Sequence, residues 1–166
     1  MSDELRRKTF ARAVKLLAAK PRSVAELRER LLQRKGVKAN KAIVETVIAR
    51  LREYGYLDDE RFAFSYASSR VKQRPIGRRR LQRDLKLKQI ENNVADEALE
   101  LVYAETPEEQ LIDRAIDKRI RLRGRPKTRA EAKSLFDHLL RQGFGFELVR
   151  EKVRQAVQYT DDQDEC

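Results

Sequence analysis

The apolar residues of the chain recur three and four positions apart, which is the spacing of one face of an α-helix. In the first third of the chain this spacing predicts three helices. The first, over 9–20, ends at Pro21; the second starts with a Ser23–Glu26 capping box and ends at Gly36; the third follows Asn40 as its N-cap. The apolar faces of these helices are Phe10, Ala13, Val14 and Leu17; Leu27, Leu31 and Leu32; and Ile43, Val44, Val47, Ile48 and Leu51.

The same order of three helices recurs twice in the rest of the chain. The helix starts and turns are predicted at Gly55, at Asp58 or Asp59, at Pro75 and Gly77, at Asn92 and Asn93, at Thr106 and Pro107, over Gly124–Thr128, and over Gly143–Gly145. The apolar faces are Phe62, Tyr66 and Ala67; Leu81 and Leu85; Val94, Ala98, Leu101 and Val102; Leu111, Ala115, Ile116 and Ile120; Leu135 and Leu139; and Leu148, Val149, Val153 and Ala156.

The middle helices of the three triplets align at a constant distance along the chain. Leucines at 27, 81 and 135 are 54 residues apart, and so are those at 31, 85 and 139. A helix triplet of about 50 residues buries little surface alone, so neighbouring triplets are expected to stack in an elongated array. The pattern predicts an all-α fold of three tandem three-helix repeats, at 1–57, 58–105 and 106–160, followed by an acidic tail at 161–166.

Composition excludes several classes of protein. Of the 166 residues 40% are hydrophobic and 39% charged, and no apolar stretch is long enough to span a membrane or to serve as a secretion signal. The single cysteine, Cys166, excludes an intrachain disulfide and agrees with a cytoplasmic location. No Gly-rich phosphate loop is present. A net charge of +11 favours a polyanionic partner.

Most of the excess charge lies in two tracts. The first basic tract, 70–88, has nine basic residues and one acidic residue, a net charge of +8; the second basic tract, 114–133, has nine and two, a net charge of +7. Arginine predominates, and its planar fork suits phosphate oxygens, so phosphate-backbone binding is favoured over a merely solvated face. The candidate residues are Arg70, Lys72, Arg74, Arg78, Arg79, Arg80, Arg83, Lys86, Lys118, Arg119, Arg121, Arg123, Arg125 and Lys127.

Candidate catalytic chemistry is sparse. His138 is the only histidine, and no cysteine or second histidine near it completes a metal site. The acidic run Asp58-Asp59-Glu60 stands at a predicted helix start, where carboxylates accept amide hydrogen bonds and oppose the helix dipole. Helix capping is therefore favoured over metal binding, and we expect no enzyme activity, no metal and no cofactor.

The junction of the first two triplets, Gly55-Tyr56-Leu57-Asp58-Asp59 with Phe62, resembles the signature of the RecX family of bacterial recombination regulators. Four other segments look like family features in family order: 11–17, 23–28, 75–81 and 139–144. The resemblance covers essentially the whole chain. In one departure, Gln89 stands where the family usually has glycine. The resemblance implies mainly structural roles for the motif residues Gly55, Tyr56, Leu57, Asp58, Asp59 and Phe62.

The resemblance also implies a fold related to helix-turn-helix packing and a function. It implies a regulator of homologous recombination and the SOS response that binds the RecA filament and limits its extension, ATPase and strand exchange. We expect a cytoplasmic monomer that binds single- and double-stranded DNA with weak sequence preference and contacts no membrane. The alternative is a general DNA-binding protein or a helix-turn-helix-type transcription factor that acts without RecA.

Overall fold

The computed structural model describes residues 2–33 and 40–157, and within these ranges every regular element is an α-helix. The predicted Gly36 cap, Cys166 and the predicted tail 161–166 lie outside the described residues. The helices of the described ranges are α1 Ser2–Ala19, α2 Val24–Leu32, α3 Lys41–Glu53, α4 Asp59–Gln73, α5 Arg78–Leu87, α6 Asn92–Glu105, α7 Glu108–Arg123, α8 Arg129–Arg141 and α9 Phe146–Ala156.

Local sequence accounts for several helix starts. The capping box at α2 is confirmed, because the Ser23 hydroxyl accepts from the Glu26 amide at 3.1 Å and the Glu26 carboxylate accepts from the Ser23 amide at 3.3 Å. Asn40 caps α3 by a single hydrogen bond, since its side-chain oxygen accepts from the amide of Ala42 at 3.0 Å. Of the two candidates at α4, Asp58 is the cap, since its carboxylate accepts from the amide of Arg61 at 3.0 Å.

The middle helix of each repeat buries the two leucines that define the 54-residue spacing. All six side chains are at most 2% exposed, which confirms that α2, α5 and α8 occupy equivalent places in three tandem three-helix repeats. These leucines are Leu27, Leu31, Leu81, Leu85, Leu135 and Leu139.

Three predicted core positions, Val14, Leu32 and Leu101, are wrong, and α1 is longer than predicted. Leu32, the last residue of α2, is 37% exposed. Val14 is 39% exposed because the inner face of α1 runs through Thr9 and Ala13, and the Thr9 hydroxyl is satisfied by the carbonyl of Leu5 at 2.8 Å. Helix α1 starts at Ser2 rather than at Thr9. Its first turn carries acidic residues, which stabilise the amino end of the helix through the helix dipole. The spacing of apolar residues gives no sign of such a helix start.

The third wrong position, Leu101, lies on α6. Leu101 is 59% exposed, whereas Ala98, Leu99 and Val102 are buried. The buried face of this helix is therefore turned away from Leu101.

The structure divides into two compact units. The first contains the described residues up to Ser65 together with Leu85–Ala98, and the second contains Tyr66–Asp84 together with the described residues from Leu99 onward. The second repeat thus contributes to both units. In the part of the chain that the structure describes, no helix is long and apolar enough to cross a membrane.

Candidate nucleic-acid interface

The first unit contains a junction between the start of α2 and the end of α5. The hydroxyl of Ser23 donates to the carbonyl of Lys88 at 2.7 Å, and the amide of Val24 donates to the carboxylate of Asp59 at 2.8 Å. The Lys88 ammonium forms a 2.7 Å ion pair with Glu26. These contacts satisfy amides and carbonyls that helix ends leave unpaired.

The carboxylates of this junction have opposite pKa shifts. Burial raises the pKa of Asp59, although the Val24 amide hydrogen bond and the Arg52 charge partly offset this. Burial would also raise the pKa of Glu26, but hydrogen bonds from Lys88 and the Ser23 amide bring it below its ordinary value. Glu26 is therefore held ionised, as the ion pair requires.

The second unit contains an equivalent junction between the start of α5 and the end of α8. The amide of Gly77 donates to the carbonyl of Gln142 at 2.9 Å, and the amide of Arg78 donates to the carboxylate of Glu108 at 2.7 Å. The Arg80 guanidinium donates to the Gln142 side chain at 3.1 Å. The α5 and α8 members lie 54 residues after their counterparts in the first junction.

The backbones at this second junction approach so closely that two glycines are required. A Cβ atom on Gly77 would lie 2.2 Å from the carbonyl carbon of Gly143. A Cβ atom on Gly143, whose φ is +94°, would lie 2.4 Å from the Cβ of Arg80. The stem of Arg80 is therefore part of the junction, and its guanidinium is held there by Gln142.

The first basic tract divides into residues held by the fold and residues that face solvent. Arg70 lies over the Tyr66 ring at 5.2 Å and donates to its hydroxyl, which raises the Arg70 pKa. Arg74 is half-buried, and its Nε atom has no hydrogen-bond partner among the described residues. Arg78 is half-buried, with its guanidinium 3.9 Å from Glu100. Arg70 and Arg78, together with the two junction residues Arg80 and Lys88, therefore have structural contacts.

The solvent-facing part of this tract forms a continuous strip on α5. Arg79, Arg83 and Lys86 are exposed and lie at positions i, i+4 and i+7 of one helix face, and no exposed position of α5 carries a carboxylate. We call these three residues the basic face of α5. Lys72, near the end of α4, is also exposed. The Arg79 amide donates to the carbonyl of Gly143 at 3.1 Å, which fixes the backbone while leaving the side chain in solvent.

The second basic tract divides in a similar way along α7 and the turn after it. Lys118 and Arg121 are exposed on the outer side of α7, and Arg125 and Lys127 are exposed in the following turn. Arg119, in contrast, is half-buried and donates to the hydroxyl of Ser134 on α8 at 3.3 Å.

Between α7 and α8 a cavity of about 230 Å³ is lined by Arg119, Arg123 and Ser134 among others. His138, also on α8, has a pKa that is lowered first by burial and then by the charges of Arg119, Arg141 and Arg123. Burial and the neighbouring arginines also lower the pKa of Arg119. We call His138 and these three arginines the α7–α8 cluster. The three arginines of the cluster outnumber Glu131, the acidic residue of the cavity lining, so the net positive charge is suited to an anion.

The sequence prediction included two arginines of the α7–α8 cluster and missed Arg141 and His138. A signal for them is present in the sequence. Ser134, His138 and Arg141 lie at positions i, i+4 and i+7, on one face of a helix.

The motif at the repeat junction has a capping geometry. Gly55 has a φ of +72°, its amide donates to the Arg52 carbonyl, and the Tyr56 amide donates to the Leu51 carbonyl, both at 2.9 Å, as in a Schellman motif. Leu57 is 3% exposed and belongs to the core, and Phe62 is half-buried. No group of three potential metal ligands occurs among the described residues, which include the acidic run at the start of α4.

Comparisons with known proteins agree with this architecture. A model of the second three-helix domain of RecX matches residues 58–99. Regulatory protein RecX of Chlorobium limicola is 33% identical over 159 residues, which cover 95% of this chain and 95% of that protein. Regulatory protein RecX of Treponema pallidum is 38% identical over 112 residues, which cover 68% of this chain and 66% of that protein. The crystal structure of RecX from Lactobacillus salivarius superposes with a TM-score of 0.79 at 18% identity, covering 92% of this chain and 96% of that chain, and so shares its fold.

Proposed function

The chain belongs to the RecX family of regulatory proteins, and we propose that it binds the RecA nucleoprotein filament and inhibits filament extension, ATP hydrolysis and strand exchange. The observation that carries the proposal is the similarity to the Chlorobium limicola regulator over 95% of both chains. Regulation of homologous recombination and of the SOS response follows from this proposal, as does a cytoplasmic location.

Inhibition of this kind needs no catalytic group. A protein built from repeats can contact several partner subunits at once, and each added contact raises the effective concentration of the next. Contact with adjacent RecA protomers would block addition of further protomers and hinder the movement that ATP hydrolysis or strand exchange requires.

The exposed cations supply the proposed DNA contacts. The basic face of α5 and the outer residues of the second basic tract present guanidinium and ammonium groups to solvent, where they can contact phosphates on single- or double-stranded DNA. Phosphate contacts carry no base sequence information, so we propose weak sequence preference. We further propose that the protein acts as a monomer, with filament RecA supplying the repeated binding surface.

Filament growth tests this function. RecA extension on single-stranded DNA would be followed by electron microscopy and by single-filament growth assays at saturating concentrations of the protein. We expect extension to slow or stop, and the Arg79→Gln/Arg83→Gln variant to inhibit less. Unchanged extension with the unmodified protein would refute the proposal.

A transcription factor would behave differently in parallel binding measurements. It would prefer one duplex over random DNA by about 10³-fold or more and would leave RecA filaments unaffected. Weak sequence preference together with arrested extension separates the two functions.

A further inference from the structure

Three aromatic rings of the first repeat form a chain that neither basic tract includes, and two of the three, Tyr54 and Tyr56, are exposed while Phe10 is half-buried. Phe10 and Tyr54 meet edge to face with centroids 6.4 Å apart, and Tyr54 and Tyr56 meet in the same way at 6.3 Å. Tyr54 is 50% exposed and Tyr56 is 61% exposed. Large apolar groups exposed together, unlike single ones, indicate a binding surface.

Helix capping does not account for the exposure of Tyr56. Helices α5 and α8 end in the same Schellman geometry as α3, and the residues equivalent to Tyr56 are Ile90 and Phe144. Those two side chains are 4% and 0% exposed, as expected from the apolar contact that accompanies this motif. The turn at Gly55 therefore fixes the backbone position of Tyr56, but the side chain of Tyr56 stays exposed.

Arginines surround the aromatic chain. The Arg50 guanidinium carbon lies 5.8 Å from the Phe10 ring centroid and 5.4 Å from that of Tyr54, and its Nε donates to the Tyr54 hydroxyl at 2.9 Å. Phe10, Tyr54 and Arg50 line a groove of about 250 Å³ between α1 and α3 together with Arg6 and Arg7. Three of its eight lining residues are arginines and none is acidic, although Arg6 forms a 3.4 Å ion pair with Asp3 on the same helix.

We propose that this aromatic groove, together with the adjacent Tyr56, binds single-stranded nucleic acid, with bases stacked on the tyrosine rings and phosphates held by the arginines. Every base presents a π-face, and proteins that hold single strands combine such rings with a cationic groove. In a duplex the faces of the bases are stacked on one another, so the rings select unpaired strands. The three lining arginines outnumber the one carboxylate paired with them, that of Asp3, and this excess of positive charge favours a polyanionic strand over a protein surface.

This inference goes beyond the proposed function, because it gives the first repeat a DNA contact that does not depend on RecA. It also gives the exposed tyrosine of the junction motif a ligand. The cationic faces of the other repeats contact phosphates alone, whereas this groove distinguishes unpaired strands from duplexes.

The absence of tryptophan from the chain allows a direct reporter of stacking. In a Tyr56→Trp variant, a dT oligomer added without RecA is expected to quench the fluorescence. An abasic oligomer of equal length and charge is expected not to quench. A Leu101→Trp variant serves as the matched control, since Leu101 is 59% exposed but neighbours Glu100 on α6. Equal quenching by both oligomers, or equal quenching of both variants, would overturn the proposal.

Affinity provides the second readout. Tyr56→Ala is expected to raise the Kd for the dT oligomer about fivefold or more and to leave duplex binding unchanged. Helicity and the urea midpoint, measured in parallel, verify folding of the variant. An unchanged Kd for the dT oligomer would overturn the proposal, and loss of filament binding alone would assign the groove to a protein contact instead. RecA is absent from the dT measurement, so this test remains valid even if the protein does not inhibit RecA.

Discussion

The hydroxyl of Ser23 hydrogen-bonds to the carbonyl of Lys88, 65 residues along the chain, and the amide of Gly77 hydrogen-bonds to the carbonyl of Gln142, also 65 residues away. The two donors are 54 residues apart, and so are the two acceptors. The internal repeat therefore extends to the contacts between repeats. In each unit, the amino end of one middle helix meets the carboxyl end of the next, so partial charges of opposite sign face each other.

Loss of the Ser23 hydroxyl should cost more than loss of an ordinary cap. Ser23→Ala removes the cap of α2 and leaves the Lys88 carbonyl without its donor, so we predict a decrease of about 2–4 kcal/mol in the free energy of unfolding. Asp58→Ala removes only a cap and should cost about 0.5–2 kcal/mol. Urea denaturation of both variants measures the difference, and equal losses would show that the junction hydrogen bond adds nothing.

Gln89 and Gly143 occupy the same left-handed capping position, at φ values of +56° and +94°. Gln89→Gly should stabilise the protein by about 0.5–1 kcal/mol, because a residue with a Cβ atom is strained there. Gly143→Ala should destabilise it by about 2–4 kcal/mol, since the added Cβ also meets Arg80. Thermal unfolding measures whether each variant is more or less stable than the unmodified protein. A destabilised Gln89→Gly variant would contradict this account.

The basic face of α5 should contribute to DNA affinity without contributing to stability. We predict that Arg79→Gln/Arg83→Gln lowers the slope of log K against log salt concentration by about 2, with unchanged urea midpoint. The matched control is Lys133→Gln/Arg150→Gln, because both cations are exposed but paired with acidic residues on their own helices. If the two double variants changed the salt dependence equally, the contribution of the basic face of α5 would be one of general charge and not of a specific DNA contact.

His138 should report on the α7–α8 cluster. Burial and three arginines hold its pKa below the ordinary value near 6.5, so its protonation opposes folding, and stability should rise with pH through the region of that value. A phosphate bound at the cluster would favour the imidazolium and raise the pKa. Because it is the only histidine, NMR titration follows it without assignment, with and without DNA. A pKa of 6.5 or above in the free protein would contradict the described geometry.

Helical periodicity predicted the core of the repeats because burial in a helix requires apolar side chains at fixed intervals. The six spaced leucines illustrate this, since each is buried. Thr9 escaped detection because a polar side chain can also be buried once its hydroxyl bonds to a carbonyl four residues earlier.

The junctions could not be predicted from local pattern, because they depend on backbone groups. A serine hydroxyl in one junction and a glycine amide in the other bond to equivalent carbonyls, so no shared residue type marks the contact. Charge counting located the first basic tract, but it could not tell which of two adjacent arginines faces solvent and which contacts the fold. Arg79 faces solvent, whereas Arg80 is held at the α8 end by Gln142.

RecA-dependent ATP hydrolysis on single-stranded DNA, measured with and without this protein, tests the central claim most directly. We predict that hydrolysis falls with increasing concentration of the protein and that the Arg79→Gln/Arg83→Gln variant requires a higher concentration for the same effect. Hydrolysis that stays constant at saturating protein, under conditions where the protein binds the same DNA, would contradict the claim.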